Sequence, residues 1–198
     1  MLEDPDISKY LYLPDPTSAE VVGDGQSVRN LYQSPGWKQH VTEGQGKNHA
    51  RPEFASENGR RNIVVSINID GFQPWKKISH SLTPIVVMLL NLPENLRSKA
   101  EYLILSGLIP GPLAPKSMTP YMKMVVEDFQ RLYDHGFVIK DPFRGGQNVT
   151  IRVKLLLMCS DLPAFEKVLC QQGASSHNGC FKCHVKVRLM DRTAIYYP

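Results

Sequence analysis

The sequence predicts an α/β domain built on a mixed β-sheet, with its elements in the order strand, strand, strand, helix, strand, helix. Three observations predict it: three early apolar segments rich in β-branched residues, one amphipathic helix after them, and a further strand followed by a helix. A crossover helix between the third and fourth strands allows strands of both directions to share one sheet.

The composition suits one folded domain with long connections. The chain has 198 residues, of which 42% are hydrophobic and 9% aromatic, and its formal charge is +4. These fractions exclude a wholly disordered chain, and four Cys are too few for a disulfide scaffold. The small positive charge permits nucleic-acid binding without arguing for it. No secretory signal is visible, and the most apolar run, residues 85–90, is far shorter than the ~18 residues of a spanning helix, so we expect an intracellular chain outside the membrane.

Residues 1–61 differ in composition from the rest of the chain. They contain scattered Asp, Gly, Pro, Ser and Gln without a sustained apolar period, apart from a short capped helix predicted at residues 27–33. We therefore predict a polar, largely disordered segment over residues 1–61 and the folded domain over residues 62–198.

The first three strands follow one another directly. Residues 62–70 are β-branched and partly alternating, and this strand ends at Asp70, before Gly71. Residues 81–92 and 102–109 are apolar, and each is closed by a proline-containing turn. All three segments are predicted to be strands.

The helices have recognisable ends. Residues 119–135 place apolar side chains at helical spacing, with Thr119 as a capping residue, Pro120 in the first turn and Gly136 as the stop. Residues 148–160 are predicted to form one long strand. Asp161 then opens a second helix with one apolar face.

Two aspartates stand at predicted strand ends, Asp70 and Asp161. If the first and fourth strands are neighbours, both carboxylates point into one crevice, where a divalent cation relieves their repulsion. Hard oxygen ligands suit Mg²⁺ or Mn²⁺, and two such ions support phosphoryl transfer. The alternative is structural, because Asp161 also suits a helix N-cap and Asp70-Gly71 a turn.

A cysteine pair follows the second helix. Cys180 and Cys183 have the spacing at which two thiolates hold one Zn²⁺, and tetrahedral zinc needs two further ligands. Three side chains are candidates for these: His177, His184 and Cys170. Reduced loop cysteines are the alternative, while a c-type haem attachment at residues 180–184 would require an export route. Cys159 lies in an apolar strand and is predicted to belong to the core.

Four blocks in a fixed order resemble CACTA-type (En/Spm-like) transposases, over residues 63–186. They are DGFQPW at 70–75 with TPI at 83–85 and NLP at 91–93, LIPGP at 108–112 with Lys116, DLPA at 161–164, and GCFKC at 179–183. Any one block is weak evidence, whereas four in order are specific.

The resemblance implies a ribonuclease-H-like fold in which three acids bind two divalent metal ions, as in DDE/D-type transposases, and which cleaves and joins DNA at element ends. By matching position, Asp70 is the first acid and Asp161 the second, and Cys180 and Cys183 belong to an inserted knuckle. The implied partners are transposon ends and target DNA, without a membrane, and a homo-oligomer is allowed. The implied location is the nucleus.

The third acid of that family, a Glu, lies well downstream of the cysteine pair. After Asp161 the acids are Glu166 and Asp191, and neither matches its position. We therefore expect the N-terminal part of a catalytic domain, incomplete at its C-terminus and not competent alone. The alternatives are a non-catalytic, transposon-derived DNA- or protein-binding module with a zinc knuckle, and a zinc-stabilised interaction domain unrelated to DNA.

Overall fold

A computed structural model describes most of the chain. The described residues are 1–13, 30–42, 54, 60–75, 80–113, 115–171, 176, 187–190 and 193–196. Their strands are β1 (Ile63–Ile69), β2 (Leu82–Leu89), β3 (Leu103–Pro110), β4 (Phe137–Asp141), β5 (Gln147–Ile151), β6 (Val153–Ser160), β7 (Val187–Met190) and β8 (Thr193–Tyr196). Their α-helices are α1 (Pro5–Ser8), α2 (Pro35–Trp37), α3 (Glu94–Arg97), α4 (Thr119–Asp134) and α5 (Leu162–Leu169). No helix in this part of the chain is long and apolar enough to cross a membrane.

Four strands form one sheet in the order β3-β2-β1-β6. β1 and β2 are antiparallel, since Phe72 just after β1 bridges Leu82 at the start of β2, and the amide of Leu90 after β2 donates to the carbonyl of Val64 at 2.8 Å. β3 is antiparallel to β2, because the amide of Gly111 after β3 donates to the carbonyl of Ser81 before β2.

β6 runs parallel to β1. At the start of the two strands, the amide of Ile63 donates to the carbonyl of Arg152 at 2.8 Å. At their far ends, the hydroxyl of Ser160 donates to the carbonyl of Ile69, also at 2.8 Å. The sheet is therefore mixed, as predicted, and two of its strands end at the same edge.

The prediction of one long strand over residues 148–160 is wrong. The chain breaks at Arg152 into β5 and β6, and β5 pairs antiparallel with β4, a strand that the sequence analysis missed. The turn between β4 and β5 uses two consecutive glycines with positive φ, Gly145 at 65° and Gly146 at 77°. The apolar alternation continues through Arg152, so it contains no signal for a change of partner strand.

The chain divides into two compact units. The first unit comprises Met1–Ser66, Met88–Leu103 and Phe129–Leu157, and the second comprises Ile67–Val87, Ile104–Asp128 and Met158–Pro198. The second unit buries apolar side chains of the sheet and of the start of α4: Ile67, Ile69, Ile85, Val87, Ile109, Met118 and Met122.

The core of the first unit draws on the N-terminal segment. It consists of Leu13, Trp37, Val41, Phe54, Val64, Leu90 and Tyr133. Four of these lie in residues 1–61, so the expectation of a largely disordered segment does not hold for its described residues. Trp37 and Val41 lie in short helical segments, which are too short to produce a sustained period.

A buried ion pair joins Arg61, which lies just before β1, to Asp141, the last residue of β4. Arg61 Nε lies 3.1 Å from Asp141 Oδ2, and both side chains are fully buried. The hydroxyls of Ser8 and Tyr12 donate to the same carboxylate at 3.1 Å and 2.6 Å, and so does the amide of Phe143 at 3.0 Å. The carboxylate is therefore satisfied by one charge and three hydrogen bonds, which is the condition for burying it.

The backbone conformation at position 136, between α4 and β4, requires a glycine. Its φ is +68°, and a Cβ placed on it would lie 2.4 Å from the carbonyl oxygen of Ile151. We expect Gly136→Ala to lower the free energy of unfolding by about 2–3 kcal/mol, measured by urea denaturation.

Gly145→Ala is the matched control for this substitution. Its φ is +65°, but a Cβ there would meet nothing within 4 Å, so only the backbone strain of about 1 kcal/mol remains. Equal losses for the two variants would show that the close approach to Ile151 has no effect on stability.

Candidate functional site

The ends of β1 and β6 bring the two predicted acids to one edge of the sheet. Asp70 follows Ile69, the last residue of β1, and Asp161 follows Ser160, the last residue of β6. The hydrogen bond from Ser160 Oγ to the Ile69 carbonyl, 2.8 Å long, joins the residues that immediately precede them. β1 and β6 are therefore neighbours in the sheet, and the ends of both strands belong to the second unit.

Asp161 has a structural role at this edge. Its Oδ1 accepts a hydrogen bond from the amide of Ala164 at 2.9 Å and so caps α5, with Pro163 in the first turn. The side chain is nevertheless exposed to solvent. The cap holds the carboxylate in a fixed position at the edge, and a capping carboxylate retains lone pairs for a second ligand.

Asp70 has no such structural role. Its side chain is exposed, and it forms no hydrogen bond or ion pair with another residue in the described part of the chain. The turn considered for Asp70-Gly71 is not formed. Gly71 does not have a positive φ, and the next residue, Phe72, already pairs with Leu82. The Asp70 carboxylate is thus free to bind a ligand.

A cavity of about 250 Å³ opens next to Asp70. It is lined by Gly71, Phe72, Gln73, Ser81, Pro112 and Leu113. These residues come from three chain segments that meet where β1 and β3 end and β2 begins. Some of these residues belong to motifs of the sequence, but the cavity could not be predicted from them, because only the strand order brings the segments together.

Asn91, in the NLP motif, proves to be a structural residue. Its Oδ1 accepts from the amide of Val64 at 2.8 Å, and its Nδ2 donates to the carbonyls of Leu11 at 2.9 Å and Asn62 at 3.0 Å. The side chain is only 3% exposed. This motif therefore fixes the start of β1 and places no functional group at the candidate site.

The predicted zinc ligands cannot be placed. Cys180, Cys183, His177 and His184 lie outside the described residues, so the knuckle stays a prediction. Cys170 is exposed at the end of α5, with its Sγ 3.2 Å from Thr119 Oγ1. The prediction that Cys159 belongs to the core is wrong, since its side chain is exposed on β6, an outer strand of the sheet in which several apolar residues are only half-buried.

The donors at the strand ends fit a hard divalent cation. Asp70 and Asp161 offer carboxylate oxygens, the ligands that Mg²⁺ and Mn²⁺ prefer. Both side chains are exposed, so hydrated ions can reach them. Across the described residues, no group of three or more His, Cys, Asp and Glu side chains lies together. Within the described part of the chain, Asp70 and Asp161 therefore do not belong to a larger group of such side chains.

Comparison with known proteins identifies the family. The family model described as Transposase family tnp2 matches residues 32–196, which is most of the chain and includes both strand-end acids. No curated protein and no solved structure matches the chain. The chain belongs to the tnp2 family of transposases.

Proposed function

We propose that the chain is part of the catalytic domain of a CACTA-type transposase, which performs metal-dependent DNA strand cleavage and transfer as the full-length enzyme. One observation carries the proposal: the bond between Ser160 and Ile69 holds together the ends of two parallel strands, each of which is followed by an exposed aspartate. Paired carboxylates at one sheet edge provide the oxygen ligands that cation-assisted phosphoryl transfer requires.

The strand arrangement supports a ribonuclease-H-like fold for this domain. The sheet order β3-β2-β1-β6 contains an antiparallel run of three strands, with the fourth strand parallel to the first and beside it. α4 lies between β3 and β6 in the sequence, and α5 follows β6. This is the order of elements that the resemblance implies, with the β4–β5 hairpin added between α4 and β6.

The two aspartates are assigned the role of metal ligands. When bound, two divalent ions activate the attacking oxygen and stabilise the leaving oxygen of the phosphodiester. Asp161, held by its cap to Ala164, provides a fixed oxygen, whereas Asp70 has no competing partner among the described residues. The third acid of the family pattern matches neither Glu166 nor Asp191, so we propose that residues 1–198 alone bind metal weakly and do not transpose DNA.

The remaining assignments follow from the family. The partners are the transposon ends and target DNA, the site of action is the nucleus, and a homo-oligomer is consistent with two DNA ends being joined. The chain's charge of +4 is compatible with a DNA partner. Cys180 and Cys183, with His177 and His184, are proposed to hold a structural Zn²⁺.

A second candidate function is a non-catalytic DNA- or protein-binding module derived from a transposon. The observation that favours it is the small number of acidic ligands, since no group of three or more His, Cys, Asp and Glu side chains lies together among the described residues. In that module the cap on α5 would be the whole role of Asp161.

DNA binding with and without Mn²⁺ separates the two candidates. In the transposase, Asp70 and Asp161 would hold Mn²⁺, whose positive charge would attract the DNA backbone, so Mn²⁺ should strengthen binding of a fluorescent duplex about tenfold, equivalent to ~1.4 kcal/mol. Asp70→Asn and Asp161→Asn should abolish this gain and leave the salt-dependent binding in EDTA unchanged. Fluorescence anisotropy measures both quantities.

Glu127→Gln provides the control for a change in surface charge. Glu127 belongs to the second unit and is exposed on α4, where its Oε1 lies 3.9 Å from Nζ of the exposed Lys123. Mn²⁺ should strengthen DNA binding by the Glu127→Gln variant as much as it does for the wild type. DNA affinity that is the same in Mn²⁺ and EDTA for every variant would support the binding module and contradict the transposase.

A further inference from the structure

The cavity next to Asp70 is suited to a small planar ring. Its volume of about 250 Å³ lies below the ~300–1,000 Å³ typical of sites for drug-sized ligands. Apolar groups dominate its lining, with Phe72, Pro112 and Leu113 among the six residues. We propose that this cavity takes up one unpaired nucleobase of a DNA strand held at the Asp70–Asp161 edge. The inference rests on the proposed function, because it identifies the part of the DNA that this edge would bind.

Two exposed aromatic rings follow Asp70. Phe72 is 50% exposed and Trp75 is 51% exposed, although rings of this size bury a large apolar surface where they can. Phe72 is fixed by two backbone hydrogen bonds with Leu82, each 2.9 Å long, and the Trp75 ring meets His80 edge-on at 5.9 Å. Rigid exposed aromatic rings are the surfaces on which single-stranded bases stack, independently of base identity.

Ser81 completes the lining on the side of β2. Its Oγ is buried from solvent, so the surface that the cavity presents to a ligand is mainly apolar. A mainly apolar surface favours contact with the flat face of a base.

The cavity begins at Gly71, the residue after Asp70, and so lies beside a carboxylate that we propose to bind metal. Phe72 lies two residues after Asp70, so a base held there would lie close to the phosphate at the carboxylates. Bases of an intact duplex cannot enter such a cavity, so the base must be unstacked or lie in a single-stranded end.

The test compares two DNA probes with the full chain. One is a duplex with a three-nucleotide 3′ overhang, and the other has the same overhang with abasic sites. The wild type should bind the base-containing overhang about tenfold more tightly. Phe72→Ala, which removes an aromatic ring from the cavity lining, should bind the two probes equally. Equal binding of both probes by the wild type would overturn the inference.

Tyr10→Ala is the control for the loss of an exposed aromatic ring. Tyr10 is 39% exposed, belongs to the first unit and does not line the cavity, so its variant should keep the preference for bases. The two proposals fail separately. If the wild type shows the Mn²⁺ effect on DNA binding but no preference for the base-containing overhang, only the cavity assignment is wrong. If it prefers the base-containing overhang but shows no Mn²⁺ effect, only the catalytic assignment is wrong.

Discussion

Replacing Asp141 by Ala is expected to lower the free energy of unfolding by about 3–5 kcal/mol, because the substitution leaves the Arg61 guanidinium buried without its counter-charge. Both side chains of the pair have an exposed fraction of 0%. Arg61 Nη2 would keep only its bond to the carbonyl of Leu2, and the hydroxyls of Ser8 and Tyr12 would lose their shared acceptor. Urea denaturation at neutral pH measures the loss.

The surface pair on α4 is the control for this measurement. Lys123 Nζ and Glu127 Oε1 are 3.9 Å apart, with side chains 73% and 53% exposed. Glu127→Ala should change the free energy of unfolding by less than about 0.5 kcal/mol. Similar losses for Asp141→Ala and Glu127→Ala would contradict the view that the buried pair stabilises the first unit.

The pH dependence of stability provides a second readout of the same pair. Burial raises the pKa of Asp141, but the hydrogen bond from Tyr12, the charge of Arg61 and the bonds from Phe143 and Ser8 outweigh it, so the pKa is lowered overall. A lowered pKa in the folded state means that the ionised carboxylate stabilises the protein above about pH 4, and that this contribution disappears as the pH falls further. The stability difference between wild type and Asp141→Asn should therefore be largest at pH 7 and shrink towards pH 3.

Local patterns predicted much of the four-stranded sheet and its longest helix. Alternation of β-branched residues identified β1, and the Thr119-Pro120 start and Gly136 stop identified α4. The break at Arg152 could not be predicted, because the apolar pattern on either side is continuous and only the choice of partner strand changes. The N-terminal part of the core was missed for a related reason, since single helical turns leave no period to detect.

The candidate site was predicted in part. Helix and strand signals gave the positions of Asp70 and Asp161 along the chain, but their shared edge depends on β1 and β6 being neighbours. That order is a property of the packed sheet, and the sequence analysis could state it only as a condition. The cavity depends instead on β1, β2 and β3 lying side by side, because Phe72, Ser81 and Pro112 come from separate segments.

Loss of Mn²⁺ binding is the second large effect that we expect. With two acidic ligands, the chain should bind Mn²⁺ weakly, with a Kd of about 10⁻⁴–10⁻³ M, as in cation sites with few charged ligands. Removing one negative charge should weaken binding at least about tenfold, because the remaining carboxylate faces the ion alone. Asn is the substitution of choice at Asp161, since it caps a helix as well as Asp and so preserves α5.

The most direct test of the strand-end metal site is therefore a titration of the chain with Mn²⁺, followed by the electron paramagnetic resonance signal of the free hydrated ion. We predict that the wild type and Glu127→Gln deplete this signal equally, and that Asp70→Asn and Asp161→Asn each lose most of the depletion. If both aspartate variants bind Mn²⁺ as the wild type does, the edge formed by β1 and β6 is not a metal site and the transposase assignment of these two residues is wrong.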